Sequence, residues 1–107
     1  MVMKAIICGK RYDTEKAKFI GDVEHSNQGD FRHWYAGLYR TPVSKVYFLA
    51  GHGGALSEWA QSDGHGGNTG SSGIKPFLTR QDAMEWAETF LDGDTVEAEF
   101  ADMIEDA

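Results

Sequence analysis

The stretch "FRHWYAGLYRTPVSKVYFLA", Phe31 to Ala50, decides the fold. In its first half, Phe31, His33, Tyr35, Gly37 and Tyr39 alternate with Arg32, Trp34, Ala36, Leu38 and Arg40. A period of two is that of a β-strand, whose successive side chains point to opposite faces of a sheet. Thr41-Pro42-Val43-Ser44 then turns the chain. Lys45 to Ala50 ("KVYFLA") follows, rich in the branched and aromatic residues that pleated surfaces favour. So short a connection joins antiparallel neighbours.

Upstream, Lys4 to Cys8 reads as a strand ending at a tight Gly9-Lys10 turn. Lys18 to His25 reads as another, with Phe19, Gly21 and Val23 set among mostly polar residues. Downstream, residues 51–75 hold eight of the thirteen glycines and read as one long Gly-rich loop, with Leu56 and Trp59 as its anchors to the core. Two helices follow. Thr79 with Asp82 resembles a capping box, and Ala83, Met84, Ala87, Phe90 and Leu91 form an apolar face before Gly93 stops the helix. Asp94 with Glu97 caps the second helix, whose buried face is Val96, Phe100, Met103 and Ile104. The expected fold is a single α+β domain over 1–107. A four-stranded antiparallel meander within 1–50 leads through the Gly-rich loop of 51–75 to an acidic helical pair at 79–107, packed on one sheet face.

An apolar content of 41% in 107 residues is enough for a packed core and argues against disorder. Cys8 is the lone cysteine, so no internal disulfide can form, which suits a reducing cytoplasm. Its apolar surroundings predict a buried, inert thiol. The apolar run Ala5 to Cys8 is too short for a signal peptide or membrane span, so a soluble, cytoplasmic protein is expected.

The Gly-rich segment raises two chemical readings. "GHGGALSEW" (Gly51 to Trp59) follows a strand, as a phosphate-binding loop would, but the complete nucleotide-loop spacings are absent. His52 and His65 sit in matching Gly-His-Gly-Gly settings, with Glu58, Asp63 and Cys8 as further conceivable ligands for zinc. Without a closely spaced ligand pair, a structural loop with no cofactor is the leading reading, and a zinc-stabilised binding module the alternative. Ser57, Ser62, His52, His65 and Asp63 carry atoms suited to hydrolysis, but no ordered catalytic motif frames them, so a hydrolase ranks third and a non-enzymatic protein is expected. Trp34, Tyr35, Tyr39, Tyr47 and Phe48 could stack bases beside Arg32 and Arg40. The net charge of −7 opposes phosphate binding, so core packing is preferred and no direct nucleic-acid binding is expected.

Charge distribution carries the most information. Residues 79–107 hold ten acids (Asp82, Glu85, Glu88, Asp92, Asp94, Glu97, Glu99, Asp102, Glu105 and Asp106) against the single base Arg80, a net −9. Asp82, Glu85 and Asp92 lie near one edge of the first helix, and Glu99, Asp102 and Asp106 form an i, i+3, i+7 stripe on the second. Such self-repulsion costs stability, and a basic partner would offset it. Asp82, Glu85, Glu88, Asp92, Glu99, Asp102 and Asp106 are therefore the predicted partner-binding residues.

"GKRYDTEKA" (Gly9 to Ala17), "FRHWYAGLYRT" (Phe31 to Thr41), "YFLAGHGGALSEWA" (Tyr47 to Ala60) and "LTRQDAMEWAE" (Leu78 to Glu88) resemble a widespread group of small proteins of bacterial phages and mobile elements. In that pattern an acid often stands at the position of His52, as "GEGG", which tells against a metal role there. The resemblance implies a genomic context rather than a chemistry. Small acidic phage proteins include anti-CRISPR inhibitors, so it implies an inhibitor of a nucleic-acid-processing defence complex in the bacterial cytoplasm. Its partner would be the basic nucleic-acid-binding surface of an RNA-guided nuclease.

Overall fold

The computed structural model describes residues 3–25, 33–53, 61–62, 68–69 and 71–107. The fold is α+β, with a four-stranded antiparallel sheet and two C-terminal helices. The sheet comprises β3 (Lys18–His25), β4 (Trp34–Arg40), β5 (Tyr47–Gly53) and β8 (Ser71–Pro76), hydrogen-bonded in that order. Two further two-stranded antiparallel sheets are formed by β1 (Lys4–Ile7) with β2 (Lys10–Asp13), and by β6 (Gln61–Ser62) with β7 (Asn68–Thr69).

The alternation read between Phe31 and Ala50 divides the core in two. Ala36, Leu38, Tyr47 and Leu49 face the helices and pack with Ala83, Met84, Ala87, Val96 and Phe100. Phe48 and Ala50 point the other way and pack with Tyr12 of the N-terminal hairpin. Tyr12 meets Phe48 edge-on at 5.4 Å, and Tyr39 stacks on Phe48 at the same separation. The aromatic hairpin is thus used largely as core. Tyr47 and Phe48 are buried, while Trp34, Tyr35 and Tyr39 are half-buried.

Two expectations about strands are corrected. Lys4–Ile7 does not join the main sheet but pairs with Lys10–Asp13 across a Cys8-Gly9 turn. Both turn residues have left-handed φ, +52° and +78°, the combination whose twist suits a two-residue hairpin. Cys8 is consequently exposed rather than buried. The fourth sheet position falls instead to β8, which lies, all but Pro76, inside the span read as Gly-rich loop, and β5 also extends into that span as far as Gly53. Pro76 is tolerated because β8 is an edge strand, where one missing N–H donor costs no ladder bond. The anchors Leu56 and Trp59 lie outside the described residues.

Helix α1 (Arg80–Phe90) starts as read, with the Asp82 N–H donating to Thr79 Oγ1 at 3.1 Å. Helix α2 (Gly93–Phe100) starts earlier than expected. Asp92 is its cap, accepting from the Thr95 N–H at 2.7 Å, and Gly93 opens the helix rather than stopping the previous one. A single 3-10 turn, Ala101–Met103, ends the helical region. Between the helices the chain comes close to β3. A Cβ added at Gly21 would stand 3.2 Å from Leu91 Cδ1, so glycine there sets how near the helix junction approaches the sheet. Among the described residues no helix is long and apolar enough to cross a membrane.

The Cys8 turn yields a direct test. A non-glycine residue in left-handed conformation costs on the order of 1–2 kcal/mol, and asparagine bears that conformation better than most. Cys8→Asn should therefore stabilise the protein by a few tenths to about 1 kcal/mol, read as a raised melting temperature. A lowered one would contradict the turn geometry.

Candidate functional site

Three groups of polar residues stand out, and their partners distinguish them. The first centres on Glu99. The residue is only 8% exposed, although helical periodicity assigned it to the solvent-facing stripe. It accepts from Lys18 Nζ at 3.0 Å, Arg40 Nη1 at 2.5 Å and Tyr47 Oη at 2.6 Å. Burial raises the pKa of this carboxyl, but the Tyr47 hydroxyl and the Lys18 and Arg40 cations outweigh it, and the net displacement is downward. Tyr47 in turn is pushed up by burial and by its bond to the carboxylate. Glu99 is thus a tether between α2 and three strands, and its assignment to a partner-binding surface is corrected. Asp102 has a tether as well. Arg80 grips it with two bonds of 2.6 and 2.7 Å, donates to the Glu99 carbonyl at 3.3 Å and lies over the Phe100 ring. The guanidinium holds the Asp102 carboxyl below its ordinary range.

The second group is what remains of the acidic segment. Asp82, Glu85, Glu88, Asp92, Asp94, Glu97, Glu105 and Asp106 are exposed, and none is ion-paired among the described residues. Asp92 alone has a local structural duty, its carboxyl lowered by the Thr95 bonds of the cap. The predicted stripe through Asp106 does not form as a helix, because α2 stops at Phe100 and residues beyond the 3-10 turn are irregular. Local periodicity cannot register these differences, since the groups that donate to Glu99 lie 52 or more positions away.

The third group, missed in the sequence reading, occupies the open end of the sheet face opposite the helices. The Tyr35 hydroxyl donates to Asp22 Oδ2 at 2.9 Å, and burial followed by that carboxylate raises its pKa strongly. His52 stacks on Tyr35 at 5.6 Å, and His33 meets the His52 ring at a tilt at the same distance. His33 is 5% exposed, and its Nε2 stands 3.3 Å from Glu24 Oε2 without hydrogen-bond geometry. Strand alternation on β3 and β4 could have placed these groups on one face. Among the described residues no three histidine, cysteine or acidic side chains form a group able to hold a metal. His65, Glu58, Asp63 and Ser57 lie outside the described residues, as does any meeting of His52 with His65. Comparison with protein-family models, curated proteins and solved structures found no match.

The Glu99 tether predicts a specific acid sensitivity. Its folded carboxyl titrates below the unfolded value of about 4.3, so its contribution is complete above that pH and vanishes as pH falls through the lower folded value. Glu99→Ala should cost about 3 kcal/mol at neutral pH, since buried polar partners lose their acceptor. Urea unfolding of wild type and Glu99→Gln should show a stability gap at pH 7 that narrows below pH ~4. A gap that stays constant into acid would show that the charge contributes nothing.

Proposed function

We propose that this chain is a non-enzymatic binding protein whose helical layer covers a basic, nucleic-acid-handling surface of another protein. One observation carries the reading. Of the ten acids in residues 79–107, the two with cation partners among the described residues, Glu99 and Asp102, tie the fold together. The other eight stand exposed without such partners, and their mutual repulsion is a cost the fold gains nothing from. Glu85 and Glu88, three positions apart on α1, are neighbours at about 5–6 Å, so they present a paired negative charge. A cationic groove that receives nucleic acid is the complementary surface. With the resemblance to phage proteins carried by the Gly9–Ala17 and Leu78–Glu88 stretches, the finer reading is an anti-CRISPR inhibitor acting on an RNA-guided nuclease.

The test keeps the tethers intact. Glu85→Lys, Glu88→Lys and Glu97→Lys together leave Glu99, Asp102 and the Asp92 cap untouched, so the variant should fold. Wild type added before the guide RNA should slow DNA cleavage by a purified RNA-guided nuclease, and the triple variant should not. Association should also slow with salt, because the screening length shrinks from about 10 Å at 0.1 M to about 3 Å at 1 M. Equal inhibition by both proteins would remove the helical layer as the interface. Failure of the wild type against every such nuclease of the cell would remove the inhibitor reading.

A further inference from the structure

The N-terminal hairpin, packed on the sheet face opposite the helices, carries the opposite charge. Lys4, Lys10, Arg11 and Lys16 all lie on or beside the N-terminal hairpin, are exposed, and make no ion pair among the described residues. Between this hairpin and the turn that joins β4 to β5 is a cleft of about 210 Å³. Its charged lining is Lys10, Arg11, Lys16 and Asp13, three cations against one carboxylate, a net charge of +2. Val43 and Ser44 contribute the opposite wall. Val43 is 90% exposed, an apolar surface that the fold itself does not cover.

Both walls are held in place before anything binds. On the hairpin side, the Asp13 carbonyl accepts from the Lys16 and Ala17 N–H groups at 3.2 and 3.0 Å. Asp13 Oδ1 accepts from the Glu15 N–H at 2.9 Å, and Thr14 clasps Met3 through backbone and hydroxyl. On the turn side, Thr41 N–H donates to the Val46 carbonyl and Val46 N–H to Thr41 Oγ1, both at 2.9 Å. Lys45 takes a left-handed φ of +54° to complete the turn. A preorganised cleft spends less of its binding energy on ordering.

We propose that this cleft binds the phosphate monoester of a small organic molecule. The dianion would sit among Lys10, Arg11 and Lys16, and the organic part would lie on Val43. Charge matching favours this class. A dianion neutralises the +2 lining, whereas a carboxylate or a phosphodiester leaves half of it uncompensated. The volume lies below the roughly 300–1,000 Å³ of sites that enclose drug-sized ligands, so the ligand is small or enters by its charged end. An adjoining groove shares Arg11, Asp13 and Lys16 and adds Lys4 and Glu15, which offers room for a body that projects. The site lies across the sheet from the acidic helices and does not depend on their partner.

The experiment is an amide NMR titration of the whole chain at pH 7.5 and low salt. The probes are phenyl phosphate, methyl phenyl phosphate, inorganic phosphate and a short single-stranded DNA. Phenyl phosphate should give saturable shifts at the amides of Tyr12, Lys16 and Ser44. It should bind about tenfold more tightly than its methyl ester, which differs by one charge, and more tightly than inorganic phosphate, which has no apolar body. Lys10→Gln with Lys16→Gln should abolish saturation while leaving the remaining spectrum in place, and Arg11→Gln serves as the second variant if that pair fails to fold. Equal affinity for the ester would overturn the dianion. Absence of saturable shifts, shifts confined to another surface, or binding unchanged in the folded variant would overturn the site. DNA binding with phenyl phosphate silent would replace the small-molecule ligand by a polymer.

Discussion

The Glu99 carboxylate is the contact on which the two layers depend. A helix layer could slide over an apolar sheet face with modest loss, because dispersion and burial are not directional. Glu99 removes that freedom. It draws a cation from β3, another from β4 and a hydroxyl from β5 onto one side chain of α2. Removing any partner leaves part of a buried charge unsatisfied, which is more costly than the pair is worth as a net gain. Registry is what the network supplies. Arg80 extends it to Asp102 and to the Phe100 ring, so the start of α1 and the end of α2 are held to one another as well.

This arrangement also sorts the molecule's charge. The alternation of β4 and β5 sends Ala36, Leu38 and Leu49 to the helices, and Phe48 and Ala50 to the N-terminal hairpin. The helices carry eight acids without cation partners among the described residues, and the hairpin and the residue beside it carry four bases without anionic ones, Lys4, Lys10, Arg11 and Lys16. A net charge of −7 therefore conceals a basic hairpin on the far side of the sheet from the acidic helices. Each can meet its own complement without the other interfering.

How much of this was legible in the sequence follows from the range of the interactions involved. The β4–β5 hairpin and the Thr79 cap rest on neighbours in sequence, and both were readable. Ser71–Pro76 was hidden because serine, glycine and proline are poor strand residues. Its pairing with β5 from Gly53↔Ser71 to Phe48↔Pro76 supplies what propensity does not. Gly93 looked like a helix stop, but Asp92 one residue earlier had already reset the chain. Glu99 was read as exposed because continuing the helical period through Asp106 put it on the polar side. Its turn inward depends on Lys18, Arg40 and Tyr47, which no window on the helix contains. The Tyr35, His52 and His33 group was missed for a related reason, since stacking across strands is a property of register.

The pairing of Gly53 with Ser71 has a consequence for how such a chain can change over evolutionary time. Strand β5 ends at Gly53 and β8 begins at Ser71, facing positions on adjacent strands, so in topological terms the sequence between them is an insertion at the tip of a hairpin. Closure entropy rises only with the logarithm of loop length, about 0.6 kcal/mol for each doubling. Lengthening, shortening or rewriting this segment therefore leaves the ladder between β5 and β8 in register. Ala36 and Leu38, with no exposed surface, have no comparable latitude. Variation among descendants of this fold would accumulate at that tip, where new recognition can be tried without refolding the domain.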